Sequence, residues 1–134
     1  MPKRVLIVED NPMSLELLTE LVKAEGHRVI PARSGTEALS LARAELPDLI
    51  LLDIQLPGID GLTVTRALKA EPTTKEIPVV GISAHALRED VDRALQAGCT
   101  AYLSKPLDTR GFIDLMGGLL GNDAQPQQQI AEAR

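Results

Sequence analysis

The chain contains no tryptophan, one tyrosine, one phenylalanine and one cysteine. A lone thiol, Cys99, cannot close an internal disulfide or supply a thiolate zinc cluster. Nothing basic brackets it in the sequence, so it reads as a small apolar packing residue rather than a nucleophile. With only Tyr102 and Phe112 as rings of their kind, the core has to be aliphatic, and no platform exists on which successive bases stack. Positive charge is also scarce: 14 lysines and arginines stand against 19 acids, for a net charge of −5. Duplex-binding domains present a basic face, so direct DNA binding is not expected. No run approaches the roughly 18 apolar residues of a membrane span. The start, Met1-Pro2-Lys3-Arg4-Val5, leads into a short apolar segment and then acid, without the apolar core of a signal peptide. A cytoplasmic protein with no membrane insertion is therefore expected. The turn after the first apolar run is Glu9-Asp10-Asn11-Pro12 rather than glycine-rich, which argues against a P-loop or dinucleotide-binding enzyme.

What is present is an alternation of two kinds of segment within 134 residues, enough for one domain. Short β-branched or leucine-rich runs occur at Val5-Leu6-Ile7-Val8, Arg28-Val29-Ile30, Leu49-Ile50-Leu51-Leu52, Ile77-Pro78-Val79-Val80-Gly81-Ile82 and Ala101-Tyr102-Leu103. The first, third and fourth lack polar alternation, as strands covered on both faces do. Between them lie stripes at helical spacing: Leu17, Leu18, Leu21 and Val22; Ala38, Leu39 and Ala42; Leu62, Thr65 and Leu68; Leu87, Val91, Ala94 and Leu95; Phe112, Ile113, Met116, Leu119 and Leu120. Asn11 followed by Pro12 has the form of a helix N-cap with proline in the first turn. Ser34 or Gly35 and Asp108 or Thr109 open further helices, while Gly26 and Gly98 mark helix ends. The expected architecture is a (βα)5 doubly wound parallel sheet over residues 1–121, followed by a polar, glutamine-rich, frayed tail over 122–134. The initiating Met1 and this tail suggest a complete stand-alone chain.

In such a sheet, ligands bind beyond the carboxyl ends of the strands. Reading those ends in order gives Glu9 and Asp10, then Asp53, Ser83 and Lys105. Taken singly, each has an ordinary reading: Asp53 as the cap of a turn, Glu9-Asp10 as a solvated acidic loop, Ser83 as a turn hydroxyl, Lys105 as a surface charge. Together they form a hard-cation site facing an ammonium and a hydroxyl. Clustered carboxylates repel unless a cation neutralises them, and oxygen donors without histidine or thiolate favour Mg2+ over zinc. A carboxylate, a divalent cation, a lysine and a hydroxyl form a phosphoryl-transfer set, with Asp53 as the nucleophile.

At these residues the chain resembles a known family. Val5-Leu6-Ile7-Val8-Glu9-Asp10-Asn11, Asp53-Ile54-Gln55-Leu56-Pro57-Gly58-Ile59-Asp60-Gly61, Ser83-Ala84 and Tyr102-Leu103-Ser104-Lys105-Pro106 resemble the receiver domain of two-component response regulators. The stretch from 48 to 57 is similar to single-domain regulators of the DivK type. The resemblance implies a CheY-like, flavodoxin-like sheet in the order 2-1-3-4-5. It implies phosphorylation of Asp53 by a histidine-kinase phosphohistidine. It places Mg2+, with Mn2+ as a substitute, on Asp10, Asp53, the Gln55 backbone carbonyl and, mostly through water, Glu9. Ser83 and Lys105 would hold the phosphoryl group, and Lys105-Pro106 would be cis. Ser83 would then move inward and Tyr102 turn into the vacated space, changing the face formed by the fourth helix, fifth strand and fifth helix.

The partners so implied are a sensor histidine kinase or phosphotransfer protein and a downstream protein, with the chain a monomer or a phosphorylation-dependent homodimer. Its only chemistry would be slow Mg2+-dependent self-phosphorylation and dephosphorylation. Gln55 and His85 fall at variable family positions that set acyl-phosphate lifetime; His85 itself reads as a solvated residue at a helix start, and His27 as surface. Ala84 is small enough to admit a phosphohistidine. Two other readings compete. A dehalogenase-like phosphatase also forms an aspartyl phosphate, but carries an acid where this chain has Gln55. A receiver-like binding module working without phosphorylation would have no need of Asp10, Asp53, Ser83 and Lys105 together.

Overall fold

The structure is a computed structural model and describes residues 2–84 and 87–120. The readings of His85 and of the 122–134 tail lie outside the described residues. Five strands and five helices alternate: β1 (Arg4–Val8), α1 (Pro12–Ala24), β2 (Arg28–Ala32), α2 (Gly35–Glu45), β3 (Leu49–Asp53), α3 (Gly61–Ala70), β4 (Val79–Ser83), α4 (Arg88–Ala97), β5 (Ala101–Ser104) and α5 (Thr109–Leu119). All pairings are parallel and the strand order is β2-β1-β3-β4-β5. The expected (βα)5 topology is the observed one.

The three unbroken apolar runs become the central strands β1, β3 and β4. In β3 and β4 every residue is buried. Along each of these strands alternate side chains enter opposite cores. Val5, Ile7, Leu49, Leu51, Val80 and Ile82 pack beneath α1 and α5, around Leu18, Val22, Phe112 and Met116. Leu6, Val8, Ile50, Leu52 and Val79 pack beneath α2, α3 and α4, around Ala38, Ala42, Val64, Leu68 and Ala94. Each fully buried aliphatic side chain contributes about 1.5–3 kcal/mol relative to exposure. Pro31 is tolerated because β2 lies at the sheet edge, where a missing N–H leaves no neighbour unpaired.

Local signals account for most boundaries. The Asn11 side chain accepts from the N–H groups of Met13 and Ser14, and Pro12 sits in the first turn of α1. Ser34 and Asp108 cap α2 and α5 through Glu37 N–H and Gly111 N–H. Gly98, at φ 117°, ends α4 in a left-handed conformation, and Gly26, at φ 87°, follows the end of α1. One boundary differs from expectation, and two more rest on residues that the sequence reading does not single out. The fourth strand begins at Val79, with Ile77 in a turn donating to Thr74 O. The third helix has an unanticipated cap, Asp60, which accepts from Thr63 N–H. The second ends on Leu46 at φ 45° rather than on a glycine, with Pro47 blocking continuation.

The helical stripes were too generous at their margins. Leu17, Leu87 and Leu95 are 54%, 63% and 40% exposed. In α1 the inward line runs through Leu15, Leu18 and Val22, and Leu17 falls one step around the cylinder. In α4 it runs through Val91, Ala94 and Ala97, while Leu87 precedes the helix as its N-cap residue. His27 is half-buried rather than a plain surface residue: its Nδ1 accepts the Lys3 N–H at 3.1 Å. Cys99 packs against α3, its Sγ 3.9 Å from Thr65 Oγ1, and burial pushes the thiol pKa up, as expected of an inert core cysteine.

Candidate functional site

The parallel register brings the ends of β1, β3, β4 and β5 to one edge. Val8 pairs with Leu52, so Glu9 and Asp53 leave neighbouring strands at the same level. Asp53 pairs with Ile82 and Ser83 with Ser104, which sets Lys105 just beyond the sheet. Main-chain hydrogen bonds continue past the strands: Glu9 N–H donates to Ala32 O at 3.0 Å and Lys105 N–H to Ser83 O at 2.9 Å. The site residues are therefore placed by the sheet rather than by free loops.

Glu9 is 1% exposed and Asp53 5%, whereas Asp10 is exposed. One carboxylate oxygen from each of Glu9, Asp10 and Asp53 lies within 4.8 Å of the others. Burial, then the neighbouring Asp53 charge, raises the Glu9 pKa above the ordinary carboxylate value. Lys105 Nζ offsets part of this charge, at 3.2 Å from Glu9 Oε1 and 3.7 Å from Asp53 Oδ2. Glu9 Oε2 also accepts the Asn11 N–H at 3.2 Å, and Asp53 Oδ1 accepts the Gln55 N–H at 2.9 Å. The Lys105-Pro106 peptide bond is cis.

The turn after Asp53 depends on a close approach at Gly61. A Cβ there would come within 2.5 Å of Ile54 Cα and 2.8 Å of Asp53 O, so only glycine lets α3 start against the end of β3. Gly61 N–H donates to Ile54 O at 3.0 Å, closing the loop.

Ser83 is 1% exposed, and its Oγ donates to Gln55 Oε1 at 3.0 Å. Tyr102 is buried at 3% exposure, and burial raises the phenol pKa while a hydrogen bond with Ser83 opposes the rise. A cavity of about 60 Å³, lined by Ile54, Gln55, Leu62, Ser83, Asp90, Arg93 and Tyr102, connects this region to α4.

The structure thus gathers Glu9, Asp10, Asp53 and Lys105 into one cluster, with Ser83 joined through Gln55 and Tyr102 beside it. Sequence reasoning missed the Gln55 side chain as the partner of Ser83, and Asp90 and Arg93 as walls of the Tyr102 cavity. Asp90 and Arg93 are three residues apart on α4, a spacing that marks a shared helix face but not what it faces.

Comparison with known proteins agrees with this geometry. The family described as the Response regulator receiver domain matches residues 5–116. The polar-differentiation response regulator DivK of Brucella anthropi is 47% identical over 122 residues, which cover 91% of this chain and 99% of that one. The receiver domain of a Pseudomonas aeruginosa sensor histidine kinase, crystallised with a magnesium ion coordinated in its active-site cleft, superposes with a TM-score of 0.84 at 30% identity, covering 91% of this chain and 100% of that one. The Vibrio cholerae chemotaxis protein CheY4 shares the fold, with a TM-score of 0.84 at 22% identity over 90% of this chain and 100% of that one. The acid cluster at the end of a 2-1-3-4-5 sheet and the family match over most of the length lead to one conclusion: this chain belongs to the response regulator receiver family of two-component signalling.

Proposed function

We propose that the chain accepts a phosphoryl group on Asp53 from the phosphohistidine of a sensor histidine kinase or phosphotransfer protein, and that the acyl phosphate reshapes the α4-β5-α5 face for a downstream protein. The observation that carries this reading is the position of Lys105 Nζ, within 3.7 Å of Asp53 Oδ2 and 3.2 Å of Glu9 Oε1 at the rim of an acid cluster. A nucleophilic carboxylate thus has a cation beside it to receive the charge of an incoming phosphoryl group.

The donors fit a hard divalent cation. The three carboxylates offer oxygens only, and these lie within 4.8 Å of one another; burial first, and the Asp53 charge second, raises the Glu9 pKa. Glu9, Asp10, Asp53 and the Gln55 main-chain carbonyl would hold Mg2+, or Mn2+ in its place. When bound, the cation neutralises charge on the transferred group.

The Asp53 carboxylate attacks phosphorus in line. The P–N bond to the donor imidazole breaks, its electron pair remains on the ring nitrogen, and Asp53 carries the acyl phosphate. Lys105 and Ser83 hold the equatorial oxygens, and small Ala84 leaves room for the donor ring. Ser83 moves inward to the phosphoryl group, and the buried Tyr102 ring turns into the space it vacates. Moving the Ser83 hydroxyl toward the phosphoryl group withdraws it from Tyr102, and the cavity wall at Asp90 and Arg93 responds through α4.

Incubation with Mg2+ and acetyl phosphate, followed by intact-mass measurement, tests this reading. Wild type is expected to gain one phosphoryl group and lose it slowly, while Asp53→Asn gains none. An unmodified wild type, or equal labelling of both proteins, overturns it.

A further inference from the structure

Two hydrogen-bond donors at the end of β4 converge on one neutral oxygen. Ser83 Oγ donates to Gln55 Oε1 at 3.0 Å, and Ala84 N–H donates to the same atom at 3.3 Å. A backbone N–H only donates, so it identifies the facing amide atom as the oxygen rather than the nitrogen. A hydroxyl and a main-chain N–H aimed at one point make a small anion-type cradle at the edge of the pocket that holds Asp53. Ser83 is 1% exposed, and its hydroxyl also bonds Tyr102, so Gln55 takes the donor side of a buried group.

We propose that the Gln55 carboxamide oxygen is an internal stand-in for a phosphoryl oxygen, occupying the Ser83 and Ala84 donors in the resting protein and leaving when Asp53 is phosphorylated. The inference rests on the phosphoacceptor reading of Asp53. The geometry suits a removable occupant. The Gln55 main chain is tied down by its N–H bond to Asp53 Oδ1 at 2.9 Å, while the residue itself is exposed at the edge of the pocket. The exchange runs in the required direction, because hydrogen bonds to an ionised oxygen are about twice as strong as those to a neutral one. Gln55 is thus a positioning residue: it keeps Ser83 and the first residue after β4 in the resting arrangement and opposes activation until a charged competitor arrives.

The test uses the full chain with Mg2+ and beryllofluoride, a phosphoryl mimic that is not hydrolysed, so affinity is read without interference from dephosphorylation. Gln55→Met keeps the length of the side chain and removes the acceptor. Loss of about one net hydrogen bond from the resting state is expected to tighten beryllofluoride binding about fivefold. Gln55→Ala should move affinity the same way. In a Ser83→Ala background most of the gain should disappear, which a general loosening of the loop would not produce. The Ala84 amide proton should shift upfield in free Gln55→Met. Equal or weaker binding by both Gln55 variants, an undiminished gain without Ser83, or an unmoved Ala84 amide overturns the stand-in role while leaving the phosphoacceptor reading intact. A wild type that takes no beryllofluoride overturns the phosphoacceptor reading and the stand-in role together.

Discussion

On one face of the sheet, α1 and α5 bury Leu18, Val22, Phe112, Leu115 and Met116 against four strands. On the other face, α4 contributes little more than Ala94 and Ala97. The helix starts differ in the same sense. Asn11 caps α1 through two N–H groups with Pro12 behind it, while Leu87 opens α4 with no side-chain cap and leaves its own side chain 63% exposed. Anchoring strength follows buried volume and satisfied end groups, so α1 and α5 form a platform and α4 is held more lightly than they are. The lightly held helix is also the one whose Asp90 and Arg93 wall the cavity of Ser83 and Tyr102. Under the proposed function, a small rearrangement at the site costs little in the helix that walls its cavity.

Truncating the platform should have the largest effect. Phe112, 1% exposed at the centre of its core, is expected to cost about 3–5 kcal/mol as Phe112→Ala, read from urea unfolding. On the α4 face the space is filled by small residues, so added volume should hurt instead: Ala94→Val is expected to cost about 1–3 kcal/mol in the same assay. A neutral result there would show that α4 yields by moving. Removing the α1 cap with Asn11→Ala should cost about 1 kcal/mol. Supplying the missing cap with Leu87→Ser should add roughly 0.5–1 kcal/mol and slow amide exchange in α4 while leaving α1 unchanged.

The smallest effect expected lies at the acid cluster. The Glu9 pKa is raised in the folded protein, so the folded state holds that proton more tightly than the unfolded chain does. In chelator, the Glu9 contribution to stability is full below the ordinary glutamate pKa of 4.5 and is lost as pH rises through the raised value. Glu9→Gln should remove this dependence and be the more stable protein at neutral pH. A wild type and Glu9→Gln pair with parallel pH profiles would refute the assignment.

Much of the fold was legible in the chain because its signals are local. The apolar runs of β1, β3 and β4 lack polar alternation, and Asn11-Pro12, Ser34 and Asp108 carry the hydrogen-bonding groups that a helix start requires. Legibility failed where a decision depended on a neighbour. Nothing in the leucines at 17, 87 and 95 says that they fall just outside the inward line, because helical spacing fixes a face only to within about one residue. The left-handed Leu46 has no glycine to announce it. Among the site residues, the acids, Ser83 and Lys105 were legible because a parallel sheet delivers its strand ends to one edge. The side-chain reach of Gln55 was not, since a glutamine two residues past a strand bonds whatever donor the fold brings near.

The order of residues along the chain alone determined a parallel sheet with helices on both sides and a row of acids, a hydroxyl and an ammonium at the strand ends, because periodicity and capping act over a few residues. Only the tertiary structure decided that Glu9 is buried beside Asp53, that Lys105 reaches both, that Gln55 occupies the donors of Ser83 and Ala84, and that α4 meets the sheet through small residues. Those are distances between segments tens of residues apart, set by sheet register and by the volume left between helix and strand.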